Sequence, residues 1–314
     1  MRSRLLRSSA PRANPTPNTQ HLIMSLLISY DSSFDGFLSA VFEIYRQRLD
    51  VGDFLPERPY DPDSSATFDL FLQPFHVETV ADSARRLRRA IVNMAGADIL
   101  DLLETAFRSE ERGVEMKIFA YLRKLFAGDE PGFNRNPTSK EMLPLFLLAR
   151  AVRHEAGGML GMVRFNKAPD GLYVAEIEPK YDILEMIVGH FRGRFPTGRW
   201  AIVDVLRCYG VFYDGHNTEY MEFADPDTLS RSIAQNAPPD AFTRMWKSYY
   251  DTMAIKERLN PRLLRRCLPV RYWKHLPERQ QNLAGPAASY SANYPAGRPT
   301  NSPASSSMSR LPTA

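Results

Sequence analysis

Hydrophobic and polar positions alternate most regularly between Glu155 and Phe223. The run GMLGMVRF is followed by LYVAEIE, by an apolar helical stretch ending in HFRGRF, and then by WAIVDVLR, YGVFY and EYMEF. A period of two marks strands and sets Val163 and Phe165 on one face, Met162 and Arg164 on the other. The first hairpin is expected to turn at Lys167–Gly171 and return through Leu172–Glu178. Pro179 then opens a helix whose stripe is Ile183, Leu184, Ile187, Val188 and Phe191. Strands are predicted at Trp200–Leu206, Tyr209–Tyr213 and Glu219–Phe223, the last two joined by an Asp214-Gly215 turn.

Upstream, a strand at Ser25–Tyr30 runs into DSSFDGFLSAVFEIYRQR, where Ser32 and Asp35 have capping-box spacing. Phe34, Phe37, Leu38, Val41, Phe42 and Tyr45 share one helical face. Asp31 and Asp35 fit helix caps, with catalytic carboxylates at a strand end as the alternative. Residues 51–75 carry four prolines in polar sequence and read as a connecting loop with a short strand at TFDLFL. Helices follow near 78–94, 97–108, 113–126 and 139–156, the last stopping at Gly157 and Gly158. Arg85, Arg86, Arg88 and Arg89 spread around a full helical turn, as a solvated face does. A final helix at about 239–258 carries Phe242, Met245, Trp246, Tyr249 and Met253 on its inner face.

The fold class is therefore α+β: an antiparallel sheet with a crossing helix, a helical middle region, and disordered tails. The body is 24–279, with a helical part at 78–156 and a sheet part at 157–224. Residues 1–23 read as a disordered extension ahead of Met24 or, being rich in Arg and Ser, as an organelle address. Residues 280–314 are mostly Ala, Ser and Pro, which cannot build a core.

Net charge at first suggests a nucleic-acid binder. The tails hold six arginines and no acid, more than the whole excess of +4, so the body carries −2. Any case for nucleic acid rests on local patches. Two cysteines without metal or disulfide spacing fit a reducing cytoplasm, and no apolar run is long enough to span a membrane. Without a CxxxCxxC cluster the chain cannot itself hold the iron–sulfur centre of a radical SAM enzyme, and no cofactor is expected.

His154-Glu155 opens like the zinc motif HExxH, but Gly158 stands where the second histidine belongs. Asp204 lies inside an apolar strand, sharing a face with Trp200 and Ile202. It is either paired internally with Arg164 or Arg207, or it lines a catalytic cleft with Glu155 and His190. Two mixtures of basic and aromatic residues suit a nucleic-acid backbone. One is His190, Arg192, Arg194 and Arg199 around Phe191, Phe195 and Trp200; the other runs from Arg262 through Arg265, Arg266, Arg271 and Trp273 to Lys274. Answering a helix dipole or forming a partner interface are the competing readings.

The motifs SYDSSFDGFLSAVFEIY, RSEERGVEMKIFAYLRKLF, VRHEAGGMLGMVRF, EPKYDILEMIVGHFRGRFPTGRWAIVDVLRCYGVFYDG and RYWKHLPE follow one another in order. Over about 25–279 this chain resembles a family of bacterial proteins described as probable DNA metabolism proteins, built around a domain of unknown function. The resemblance implies a place beside a radical SAM enzyme of DNA modification or repair. Some members of the family carry a fused uracil-DNA-glycosylase-like domain, which the tail here does not suggest. Glu155, Gly161, Arg164 and Phe165 match the family's glutamate and its GFxRF-like strand. Glu178-Pro179, His190-Phe191, Arg194-Phe195, Trp200, Asp204 and Arg207 match the next stretch of the family pattern. Gly157, Gly158 and Leu160 stand where that pattern has His, Arg and Lys, so a basic contact or a catalytic histidine is missing. The expected partners are DNA and a radical SAM protein, with Arg164, Arg194, Arg199, Arg207, Arg266 and Lys274 as nucleic-acid contacts. The alternatives are a hydrolase acting through Glu155, His190 and Asp204, or a protein adaptor.

Overall fold

The structure, a computed structural model, describes residues 25–57, 74–128, 136–168, 170–223, 241–253, 255, 258 and 260–279. It divides into two compact units. The first runs to Gly157 and includes Lys180–Ile183; the second holds Gly158–Pro179 and Leu184 onward.

In the first unit, β1 (Leu26–Tyr30) is the middle strand of a small sheet, with β2 (Val51–Pro56) and β3 (Phe75–His76) paired parallel on either side. The 51–75 segment is thus not all loop: its first six residues form β2. Pro56 closes that strand, where a missing N–H costs little. The expected strand at TFDLFL lies outside the described residues. Helix α1 (Phe34–Gln47) crosses from β1 to β2 and buries Phe34, Phe37, Leu38, Val41 and Ile44. Its cap is Ser33, one residue after the predicted Ser32: the Ser33 hydroxyl accepts from Gly36 N–H at 2.8 Å. Asp31 fixes this start by accepting from Ser33 N–H, Ser33 Oγ and Thr79 Oγ1. Burial pushes the Asp31 carboxyl up, but the Thr79 and Ser33 bonds outweigh it and leave the group below its ordinary value.

Helices α2 (Ala81–Ala95), α3 (Ala97–Phe107), α4 (Val114–Ala127) and α5 (Met142–Met159) fall close to the predicted positions. Rings of Tyr30, Phe34, Phe37, Phe54, Phe107 and Phe119 interlock in the core. Arg88 is spent on Asp35 and Glu104 and lies over the Phe34 ring, and Arg86 covers Phe42. Asp35, the other candidate carboxylate of this helix start, is therefore an ion-pair partner.

In the second unit, the sheet order is β4 (Asn166–Lys167), β5 (Tyr173–Ile177), β6 (Trp200–Asp204), β7 (Tyr209–Tyr213), β8 (Thr218–Glu222). Three of its pairings are antiparallel, while β5 and β6 run parallel, joined by α6 (Leu184–Arg194). All five residues of β6 are buried, as expected of a central strand flanked on both edges. The structure is thus mixed α+β, with antiparallel and parallel pairing.

Three local expectations change. Helix α5 continues through Gly157 and Gly158, neither at positive φ, and the next residues form a turn rather than a strand. Arg164 closes that turn by donating to the carbonyls of Gly161 and Val163, leaving only Asn166–Lys167 for the ladder. Helix α6 starts at Leu184, not at Pro179, because the N–H groups of Lys180, Tyr181 and Asp182 are taken by Glu155 and by the Arg108 carbonyl. The predicted stripe from Ile183 to Phe191 is buried. Last, α7 (Ala241–Met253) turns Met245, Tyr249 and Met253 outward. It is held instead by Trp246 beneath the Arg164 guanidinium and by Tyr250 against Arg279. Helix α8 (Pro261–Cys267), capped by Asn260, and a short 3-10 turn (Val270–His275) close the described chain.

No described helix is long and apolar enough to cross a membrane.

Candidate nucleic-acid interface

The charged residues picked out by sequence part into two groups: those answered inside the protein and those left at its surface. Asp204 is fully buried. Its Oδ1 accepts from the N–H groups of Leu206 and Arg207, and its Oδ2 takes Arg207 Nη1 at 2.9 Å. Arg207 also donates to the Pro179 carbonyl. This is the internal pair, with Arg207 rather than Arg164 as partner. Arg164 instead pairs with Glu278 at 2.9 Å and lies over Trp246. Lys274 contacts Glu178.

Glu155, in the first unit, is buried with both oxygens on backbone: Oε1 accepts from Lys180 N–H at 3.0 Å and Oε2 from Tyr181 N–H at 2.8 Å. His190, in the second, is exposed and sets its ring edge-on to Phe191. Each of the three candidate catalytic residues therefore has a local structural setting. Among the described residues no group of His, Cys, Asp or Glu is assembled to hold a metal, and neither cysteine forms a disulfide.

Of those left at the surface, Arg194 and Arg199 lie with Arg192 at one end of the second unit's sheet. Backbone register lines up Lys167, Tyr173, Trp200 and Tyr213 across β4, β5, β6 and β7. The turn after α6 is pinned over this row by two bonds: Tyr213 Oη donates to the Pro196 carbonyl, and Tyr173 N–H donates to the Arg199 carbonyl. The last turn of α6 carries Arg192 and Arg194, and the turn that follows carries Phe195 and Arg199, all exposed. Beneath it Phe165, Phe191 and Trp200 pack edge to face, and Phe195 packs onto Phe165 from the turn.

Among the described residues, Arg192, Arg194 and Arg199 have no ion-pair partner. The Arg194 guanidinium lies over Phe195, and Lys167 over Tyr173. These two residues are 40% and 39% exposed. Asp214, in the nearby hairpin turn, is held below the ordinary carboxylate range by the N–H groups of Asn217 and His216. Exposed guanidiniums beside partly exposed rings suit phosphate oxygens and a stacked base. Sequence reasoning missed Lys167 and Tyr173. Their signal was present in the strand ends flanking the Lys167–Gly171 turn, which register brings beside Arg199. Arg266 is also exposed, on α8.

Residues 112–278, more than half of the chain, match a domain of unknown function, DUF4130. The chain belongs to the DUF4130 family. No curated protein and no solved structure matches it. The DUF4130 span takes in α4, α5 and the whole five-stranded sheet, and ends on Glu278, the residue that closes the Arg164 bridge. The parallel sheet of β1, β2 and β3 precedes it.

At the opposite end of the DUF4130 sheet, His275 lies between two carboxylates, 3.7 Å from Glu176 and 3.4 Å from Glu178. Burial pushes the Glu178 carboxyl up; His275 and Lys274 more than offset this and hold it below its ordinary 4.5. A carboxylate with a depressed folded pKa contributes stability that is complete above the unfolded value and fades as pH falls through the folded one. The stability difference between wild type and Glu178→Gln, from urea midpoints, should therefore be at its full value above about pH 5.5 and shrink below about pH 4.5. A difference unchanged at pH 3.5 would remove Glu178 from the acid response.

Proposed function

We propose that this DUF4130 protein binds nucleic acid through the sheet end that carries Arg192, Arg194, Arg199, Phe195 and Tyr173. Its role is in DNA repair or modification, and the resemblance drawn from its motifs implies a radical SAM enzyme as the partner that supplies redox chemistry. The observation that carries the binding reading is the set of three exposed arginines without acidic partners among the described residues, beside two partly exposed aromatic residues. Charges that serve the fold are answered internally, as Arg164 and Arg207 are; charges left unanswered at the end of α6 and in the turn after it are available to phosphate. Single-stranded DNA fits better than duplex because Phe195 and Tyr173 can stack only on bases that are not already stacked.

Fluorescence anisotropy with a short single-stranded oligonucleotide tests this across a salt series. The double variant Arg194→Ala/Arg199→Ala should weaken binding at least tenfold and lower the slope of log K against log salt by about 0.7 per lost contact. Phe195→Ala should cost roughly 1–3 kcal/mol with little change in slope. Affinity that is the same in wild type and double variant at every salt concentration would overturn the interface and leave the adaptor reading.

A further inference from the structure

In the first unit a cleft of about 520 Å³ opens where α1 ends, β2 begins and α4 passes by. Its walls include the rings of Tyr45, Phe119 and Phe126, with Tyr45 edge-on to both phenylalanines. Its polar members are Arg48, Arg123 and Asp50. Among the described residues none of these three charged side chains is ion-paired. Arg123 lies over the Phe119 ring at 5.9 Å. Burial pushes the Tyr45 phenol up while the Arg123 charge opposes the shift, so at neutral pH it is a hydroxyl donor. The larger cleft of about 690 Å³, beside Val92 and Phe146, offers Asn93 and Asp98 but no cation or aromatic pair.

The charge balance selects the ligand. Two guanidiniums favour an anion, but Asp50 cancels one of them. The C-terminal ends of α1 and α4, each worth about half a negative charge, cancel much of the other. What is left is a nearly neutral slot with aromatic walls, two planar donors and one carboxylate acceptor, within the size range of small-molecule sites. A heteroaromatic ring that presents acceptors on one edge and donors on another fits this inventory. Guanine does so: O6 and N7 take arginine, and N1–H and N2–H suit a carboxylate. We infer that this cleft is a binding site for a purine base of the guanine type, separate from the arginine-bearing sheet end.

Isothermal titration of the full chain with guanosine tests it, with inosine, thymidine and inorganic phosphate as comparison ligands. Guanosine should bind with a Kd on the order of 10⁻⁴ M. Inosine, which lacks the N2 amino group, should bind several-fold more weakly, thymidine more weakly still, and phosphate not at all. Arg48 supplies an informative variant because its backbone is left-handed, with φ 56°. Arg48→Gly removes the guanidinium while relieving that conformation, so it should lose binding roughly tenfold and melt no lower than wild type. Arg123→Ala should lose a similar factor, and Arg194→Ala/Arg199→Ala should lose none. No heat with guanosine at about 2 mM, binding that survives both Arg48→Gly and Arg123→Ala, or binding lost only with the sheet-end variant would each overturn the site.

Discussion

Asp204→Ala is expected to cost the protein about 3–5 kcal/mol, the usual penalty for removing one partner of a buried ion pair. The carboxylate is fully buried and the side chain of Arg207 is 12% exposed. Deleting the acid leaves the guanidinium where water reaches it poorly, and strands the N–H groups of Leu206 and Arg207 that Oδ1 accepts. Asp204→Asn keeps an oxygen for those N–H groups while losing the charge, so it should cost less than the alanine change. Arg207→Ala should cost as much as Asp204→Ala because it leaves the deeper charge alone. The pair removed together should be milder than the sum of the single changes. Urea midpoints give all four values. A midpoint for Asp204→Ala within about 0.5 kcal/mol of wild type would show that Asp204 is not held for stability, and would return it to the catalytic candidates.

Asp204 also shows how far sequence carries. Alternation in WAIVDVLR requires a buried acid and points to Arg164 and Arg207 as the nearest cations. It does not choose between them; the partner found is Arg207, which follows the strand by three residues. Glu155 stands out in the sequence for its neighbour His154, yet its partners are two backbone N–H groups about 25 residues downstream, which no side-chain pattern announces. The amphipathic stripes of α1, α4 and α6 are legible because helix periodicity is local. The parallel partners of β1 are not: parallel pairing is non-local, and Pro56 disguises β2 as loop. The stripe of α7 is a different failure. Periodicity says that one face is apolar, not that anything covers it, and Met245 and Met253 stand more than half exposed. For the arginines, sequence can cluster them but cannot say which are already answered. Arg164 and Arg207 face acids in the fold, while Arg194 and Arg199 do not.

Gly36→Ala is the second large effect, and its sign separates two rules. Helix propensity predicts a gain: Gly36 lies in the first turn of α1 at an ordinary helical φ, where alanine is favoured by up to about 1 kcal/mol. Steric placement predicts a loss. A Cβ there would sit 1.9 Å from Asp31 Oδ1 and 2.8 Å from Thr79 Oγ1, so the Asp31 side chain must leave. With it go the bonds from Ser33 and Thr79 that anchor the β1–α1 turn, where Ser32 is already held at φ 66°. Losing these bonds should outweigh propensity and leave a net cost of about 2–3 kcal/mol. The Asp31→Ala background isolates the cause. Once the carboxylate is absent and Thr79 is free to rotate, Gly36→Ala should become neutral or stabilising, giving a coupling of at least about 2 kcal/mol in the double-mutant cycle. If Gly36→Ala is equally destabilising in both backgrounds, the glycine is required by something other than Asp31. If it stabilises the wild type, the Asp31 anchor contributes less than the propensity of a single alanine.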